Sequence, residues 1–387
     1  MIFEPPNLEE RDLDVIEQID VLRKRLRHVL GTSPPARWQG NLRRATLARN
    51  LRHSNSIEGI NVTRDDAMAA VENDEPLQAD KPTWEAVRGY RDAMTYVLQL
   101  ASAEDFRYDE NLIRSLHFMI AQYDLTKHPG RWRPGMVFVR DERRQAVVYE
   151  APDASLVPGL MAELVQSLNQ LDDTPLMVRA AMGHLNLVMI HPFSDGNGRM
   201  ARCLQTLILA RQQFVEPPFC SIEEYLGRFT QEYYDVLAQV GQGSWHPGND
   251  CHPWLRFNLV AHYRQGTWLL QRTRITQRVW DEIEGIAGKM GLPERSTPSL
   301  ADAAFGYRVR NSTYRISADV SLLVATRDLK RLVEAGLLVG AGERRARVYA
   351  ASARLREIYL KSYEPRTEED PYSKPITPRQ PGFSFPA

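Results

Sequence analysis

One segment constrains this 387-residue chain more than any other: His191-Pro192-Phe193-Ser194-Asp195-Gly196-Asn197-Gly198-Arg199-Met200-Ala201-Arg202. It follows an apolar helical run (Leu185, Leu187, Val188, Met189, Ile190) and opens another (Cys203, Leu204, Leu207, Ile208). Two such runs joined by a short Gly-rich turn predict two helices with an exposed loop between them. Gly196 and Gly198 bare backbone N–H groups just before a helix N-terminus, which makes an anion site. Arg199 and Arg202 lie three apart, so they share one helix face and reach a single polyphosphate. Asp195 is a hard oxygen ligand suited to Mg²⁺ held between phosphates. His191 supplies a titratable base at the mouth of the loop. A base, a metal carboxylate, an anion nest and two arginines are the parts that nucleotidyl or phosphoryl transfer requires.

The rest of the chain reads as mainly helical. Helical spacing predicts helices over 14–29, 37–52, 64–72 (with Thr63 as N-cap), 83–101, 109–123, 155–171, 175–190, 199–213, 222–240, 252–271 and 274–290. The turn-rich run His128–Gly135 leads into two short β-type stretches, Met136–Arg140 and Ala146–Tyr149, which predict a hairpin able to hold an extended peptide by its edge. Gly291-Leu292-Pro293 marks a boundary. Beyond it, Ser321–Ala335 predicts a helix with Leu322, Leu329, Leu332 and Val333 inward, followed by a short strand and a basic two-strand wing at 340–349. Helix, strand and wing together are similar to a winged helix-turn-helix. Residues 294–350 carry ten Lys/Arg against six Asp/Glu; Arg327, Lys330, Arg331, Arg344, Arg345 and Arg347 would face DNA, the competing reading being a protein-docking or dimerising module. The tail, poor in residues to bury, is expected to be mobile.

Composition enters by exclusion. Lys+Arg and Asp+Glu are both 49, which argues against a chain-wide polybasic surface for nucleic acid or membrane. Cys203, Cys220 and Cys251 are too few for a disulfide scaffold and fit a reducing compartment. Apolar runs are far too short to span a bilayer, and acids stand near the N-terminus where a signal peptide wants bases, so a cytoplasmic location is expected.

The twelve residues His191–Arg202 match the Fic family signature H-P-F-x-[D/E]-G-N-G-R-x-x-R without departure, and the chain resembles that family over roughly residues 83–240. The resemblance implies a helical Fic core with a β-hairpin flap at 136–149 that binds the target protein, and AMP transfer from ATP to a Ser, Thr or Tyr hydroxyl. By position, His191 would deprotonate the hydroxyl and Asp195 would bind Mg²⁺. Gly196, Asn197 and Gly198 would hold the α- and β-phosphates, Arg199 the β-phosphate and Arg202 the γ-phosphate. Relatives that phosphorylate instead carry Lys where this chain has Gly198, which favours the nucleotidyl branch. Arg228 and Tyr233-Tyr234 fall near the family's adenine pocket; tyrosines at that spacing are also ordinary core. His184, two turns before His191, reads as a satisfied core histidine.

A second motif, Ser54-Asn55-Ser56-Ile57-Glu58-Gly59, resembles the family's inhibitory signature [S/T]-x-x-x-E-[G/N]. Glu58 would pair with Arg202 and take the group that should hold the γ-phosphate. In some such relatives the same Glu supports deAMPylation. The expected organisation is an N-terminal helical region with the inhibitory Ser54, Glu58 and Gly59 (1–82), a catalytic domain with its following helices (83–290), a winged helix domain (291–352) and a tail (353–387). The resemblance also brings a homodimer into view, and DNA at the winged helix. The alternative function is a DNA-binding regulator in which the Fic fold senses nucleotide without turnover.

Overall fold

The computed structural model describes residues 1–31, 35–141, 146–211, 217–343 and 347–375. Helices dominate, as the periodicity predicts. They run α1 (Glu10–Leu30), α2 (Arg37–Ile57), α3 (Arg64–Val71), α4 (Lys81–Leu100), α5 (Glu110–Ala121), α6 (Val157–Asn169), α7 (Leu176–Ile190), α8 (Asn197–Arg211), α9 (Pro217–Cys220), α10 (Glu223–Arg228), α11 (Thr230–Gly241) and α12 (His252–Lys289). The C-terminal part continues with α13 (Thr297–Ala304), α14 (Asn311–Ala318), α15 (Leu322–Glu334) and α16 (Ala353–Ser362).

The centre is the α7–α8 pair. Twelve of the fifteen residues of α7 and thirteen of the fifteen of α8 are buried; a helix buried all round sits inside, with the amphipathic ones packed about it. α4 and α5 lie against α8 on one side, α12 and α6 against α7 on the other. α1 runs along α12, and α2 packs on α10 and α3. Thr63 caps α3 by accepting from the Asp66 N–H, as predicted.

Strands β1 (Phe138–Asp141) and β2 (Ala146–Glu150) pair antiparallel, with Val139 opposite Tyr149 and an irregularity between Val139 and Arg140. The Tyr149 hydroxyl donates to Met189 O at 2.9 Å, which ties this hairpin to the last turn of α7. Three further strands, β3 (Val309–Arg310), β4 (Leu338–Ala341) and β5 (Val348–Ala351), form an antiparallel sheet in the order β3-β5-β4.

The structure corrects several expectations. The break expected between 271 and 274 is absent, and α12 is continuous. Its polar triplet faces inward: Gln271 donates to Pro365 O at 2.7 Å, and Arg272 pairs with Glu224 at 2.9 Å. The 222–240 helix is split at Phe229, where the backbone turns out (φ −115°, ψ 47°). Leu322, expected inward, is 55% exposed. The tail is held as far as it is described. After α16, Trp268 donates to Thr367 O, Arg366 pairs with Glu224, and the Tyr372 hydroxyl donates to Asp12. Polar anchoring holds it together with the burial of Pro371 and the packing of Tyr372 on the core. Residues 376–387 lie outside the described residues, as do 142–145 of the hairpin turn.

Candidate active site

The Gly-rich loop is held from four sides. α7 ends at His191, whose backbone is left-handed (φ 50°, ψ 57°) and turns the chain sharply away from the helix. Its Nδ1 lies 3.2 Å from Val188 O; a carbonyl only accepts, so Nδ1 carries the hydrogen and Nε2 keeps a free lone pair. Burial pushes the His191 pKa below the ordinary value; Arg133 pushes the same way, against the Val188 carbonyl, Glu58 and Asp195. The imidazole is therefore neutral near pH 7, the form a general base needs.

Two residues that the sequence reading passed over fix this loop. Arg133 donates from Nε to His191 O at 2.8 Å, from Nη1 to Gly135 O at 2.6 Å and from Nη2 to Pro152 O, while its backbone N–H reaches Pro192 O at 2.9 Å. It thus joins the base of the hairpin to the base of the loop. His117 of α5 stacks on Phe193 with ring centres 3.6 Å apart. Its Nδ1 accepts from the Gly130 N–H at 2.9 Å, so Nε2 bears the hydrogen and donates to Asp195 O at 2.9 Å. Burial pushes its pKa down to about 4, keeping that neutral tautomer. The available signal was a histidine on the inward stripe Ile113, Leu116, His117, Ile120. Arg133 gave none beyond its place in a turn.

Within the loop, Asn197 uses its side chain on Phe193, accepting from N–H and donating to O at 2.9 and 2.8 Å. Its amide shapes the loop; what α8 offers an anion is its first-turn backbone N–H groups, which have no intrahelical acceptors. Gly196 has φ +77°, a conformation in which any side chain is strained.

Both arginines point into this mouth. Arg199 is 1% exposed, and its Nε and Nη1 have no hydrogen-bond partner among the described residues. Its Nη2 donates to the Tyr123 hydroxyl at 3.3 Å and stands 4.0 Å from the Asp195 carboxylate. Two orphaned buried donors are costly unless an anion meets them. Arg202 is 2% exposed and more fully engaged: Nε donates to Ser54 Oγ at 2.8 Å, Nη2 to Ser54 O at 2.9 Å and to Glu58 Oε1 at 2.7 Å. Its Nη1 is without a partner among the described residues.

α2 delivers Ser54 and Glu58. The helix runs five residues beyond the expected end at 52, so Ser54 lies in its last turn and Glu58 at its C-cap, with Gly59 (φ +77°) as the stop. The Glu58 carboxylate sits over Gly198 so closely that a Cβ there would collide with it. It occupies the helix N-terminus and one arginine at once, which is where a phosphate would go. Ser54 in turn lies between Arg202 and the buried Glu223, to which the Tyr90 hydroxyl also donates. Burial raises the Glu223 pKa, against Tyr90 and Arg202.

The Asp195 side chain is about one-third exposed; its Oδ1 accepts from the Gly196 N–H at 2.7 Å, and its Oδ2, 4.0 Å from Arg199, is the oxygen left to meet a hard cation. Among the described residues no cluster of three or more metal-ligating side chains occurs. A cation at Asp195 would thus take its other ligands from phosphate and water, the usual habit of Mg²⁺.

Of the remaining singled-out residues, Tyr233 lies against Arg202 and Tyr234 against the end of α2, and the others fall away from the loop. His184 is fully buried, bonded to Gln205 Oε1 at 2.5 Å and the Tyr233 hydroxyl at 3.0 Å, as a core histidine should be. The Tyr234 hydroxyl donates to Ile57 O at 2.9 Å, and Arg228 turns to Glu224. Lys330 pairs with Glu334 and Arg331 donates to Gly291 O. Arg327 is mostly exposed and Arg347 lies over the Tyr349 ring; Arg344 and Arg345 lie outside the described residues. Among the described residues, no helix is long and apolar enough to cross a membrane.

A model of the Fic/DOC family matches residues 107–209. The protein adenylyltransferase Fic of Nematostella vectensis is 29% identical over 265 residues, covering 65% of this chain and 55% of that protein. That of Aedes aegypti is 40% identical over 78 residues, 20% of this chain and 13% of that protein. The chain thus spans about half the length of the first of these relatives. The crystal structure of a Fic family protein from Desulfovibrio desulfuricans superposes with a TM-score of 0.58 at 21% identity, covering 91% of this chain and 99% of that one, a likeness of fold. The loop from His191 to Arg202 falls inside the matched span, so the residues gathered at the candidate site lie in the stretch that is similar to the Fic/DOC family.

Proposed function

We propose that this chain transfers AMP from ATP to a hydroxyl group of a protein and that Glu58 restrains it. The observation that carries the reading is the position of the Glu58 carboxylate, on Gly198 at the N-terminus of α8 and 2.7 Å from Arg202. A carboxylate there is a placeholder for phosphate. The adenylyltransferase names of the relatives support AMP as the group transferred.

In this mechanism the β- and γ-phosphates of ATP lie on the first-turn amides of α8 and on Arg199 and Arg202. His191 Nε2 takes the proton from the incoming Ser, Thr or Tyr hydroxyl. The hydroxyl oxygen bonds to the α-phosphorus in line with the α–β bridging oxygen, which leaves with pyrophosphate. Mg²⁺ on Asp195 would neutralise charge on the phosphates; the single open carboxylate fits such an ion. The target segment lies along the hairpin, held to His191 through Arg133. With Glu58 on Arg202 the γ-phosphate loses its partner and the α-phosphorus is misaligned. Positioning supplies most of the rate in such a reaction.

The C-terminal unit is read as a winged helix, supported by the order α13, β3, α14, α15, β4, β5 and the sheet that closes it. Intact mass spectrometry after incubation with ATP and Mg²⁺ tests the main reading. AMP added to Glu58→Gly, but not to Glu58→Gly with His191→Ala, is the expected result. Phosphate units in place of AMP would overturn the assignment of Gly198 to the nucleotidyl branch. AMP gained equally by the His191→Ala variant would remove the base. Loss of AMP from a pre-modified protein, dependent on Glu58, would reveal the reverse hydrolysis.

A further inference from the structure

A second cationic cavity lies on the far side of α2 from the loop. It measures about 130 Å³ and is lined by Arg49, Arg52, His53, Arg64, Glu224 and Arg228, with Phe305 and Tyr307 as its aromatic wall. Three elements meet there: α2 supplies Arg49, Arg52 and His53, α3 supplies Arg64, and α10 supplies Glu224 and Arg228.

The charge does not balance. Glu224 is buried and already paired from behind, with Arg272 at 2.9 Å and Arg366 at 2.8 Å, and it meets Arg228 at 3.4 Å. Among the described residues no other carboxylate forms an ion pair with any of the six arginines, Arg49, Arg52, Arg64, Arg228, Arg272 and Arg366. The Nη1 atoms of Arg49 and Arg272 are buried with no hydrogen-bond acceptor among the described residues. Arg52 and Arg64 are exposed and Arg49 is half-buried, so it is the two buried donors without an acceptor that make the site costly and that an anion would satisfy.

The neighbours feel the excess. Burial, with Arg228, Arg52 and Arg366, outweighs Glu224 and pushes the His53 pKa down to about 4. Burial, Arg49 and Arg366 likewise push Arg272 down to about 10 against Glu224.

The structure assigns to this cavity the binding of one tetrahedral phosphate-type oxyanion, bridging α2 to α10 and to the first residue of α3. The volume, about 130 Å³, is ample for one small oxyanion. Guanidinium groups from three elements give the forked donors that phosphate oxygens accept. A bound anion would fix the end of α2, since His53 immediately precedes Ser54 and packs its ring against Gly227. The site is distinct from the His191–Arg202 loop and does not require turnover.

Calorimetric titration of the full chain with inorganic phosphate at constant ionic strength tests this. The wild type should bind one equivalent that depends on Arg52 and Arg228, apart from any phosphate taken at the His191–Arg202 loop. Arg52→Gln with Arg228→Gln should weaken binding at least tenfold. Arg199→Ala, which removes an arginine of the other anion site, should change it less than twofold. Circular dichroism verifies the fold, and Arg52→Gln alone, at an exposed position, gives the readout if the double variant fails to fold. A parallel titration with glycerol phosphate separates the sources: equal binding means the phosphate end of a larger ligand, and phosphate alone means the free ion. No binding to wild type, equal binding to the Arg52→Gln variants, or loss confined to Arg199→Ala would overturn the assignment.

Discussion

Replacing Glu58 by glycine removes one charge-assisted hydrogen bond from a guanidinium that is 2% exposed, at a distance of 2.7 Å. The Glu58 side chain is 24% exposed, so this is a partly buried pair rather than a surface one. Hydrogen bonds to charged groups of this kind contribute about 1.5–3 kcal/mol. On the proposed mechanism, the γ-phosphate must displace this contact in the wild type before it reaches Arg202. Removing the competitor should therefore favour productive ATP binding by the same amount, about tenfold to about a hundredfold. The assay is the initial rate of AMP incorporation at subsaturating ATP. Glu58→Gln keeps the shape and the bond to Arg202 but not the charge, so it should fall between wild type and Glu58→Gly. A linked effect runs the other way: without ATP, Glu58→Gly should melt at a lower temperature, because Arg202 loses an acceptor, and ATP should restore more of the difference than in the wild type. A Glu58→Gly rate within twofold of wild type, with ATP binding intact, would refute the reasoning. So would a Glu58→Gln rate equal to that of wild type, since the charge would then be irrelevant.

Other outcomes follow from the same geometry. The lowered His191 pKa keeps the base form available as pH falls, so the acidic limb of the transfer rate should lie below the ordinary histidine value of about 6.5; a midpoint above it would contradict the neutral buried imidazole. Arg133→Met should cut transfer about tenfold while changing ATP affinity less than about twofold, because Arg133 holds His191 and the hairpin rather than the phosphate arginines; equal losses in both would assign it a general structural part. His117→Phe keeps the stack on Phe193 but loses two hydrogen bonds, and should cost about 1–3 kcal/mol in denaturant unfolding. Burial alone would raise the Glu224 pKa, but Arg272, Arg49 and Arg366 hold it below the usual carboxylate range. Its contribution to stability is therefore present above the unfolded value of about 4.3 and is lost as pH falls through the folded one. Glu224→Gln should cost about 3–5 kcal/mol near pH 7, with the difference from wild type shrinking at low pH; a cost independent of pH would show that the charge is not responsible.

Much of the candidate site was legible because it is local. The loop from His191 to Arg202 compresses the proposed base and metal carboxylate, the bared amides and both arginines into a dozen residues, and short-range geometry decides how they lie. Likewise Thr63, Gly59 and the apolar stripes of α7 and α8 act within a turn or two of themselves. What could not be read is what distance in sequence conceals. His117 and Arg133 carry no motif; they matter because α5 and the turn before the hairpin are brought beside a loop more than fifty residues away. The triplet Gln271-Arg272-Thr273 looks like the end of a helix, because polar residues at an inward position have no visible reason until Glu224 and Pro365 are placed against them. The tail looks mobile for the same reason.

The sequence by itself determined the local chemistry: which residues end helices, where backbone amides are bared, which side chains share a face. Periodicity and turn chemistry suffice there, because the interacting groups are covalent neighbours. Only the tertiary structure decided which of these groups meet. That Glu58 sits on Gly198, that Ser54 lies between Arg202 and Glu223, and that Arg228, Arg272 and Arg366, from two helices and the tail, converge on Glu224 depends on how buried faces of helices pack. Such packing is fixed by shape and volume summed over the whole core, which no single stretch of the chain contains.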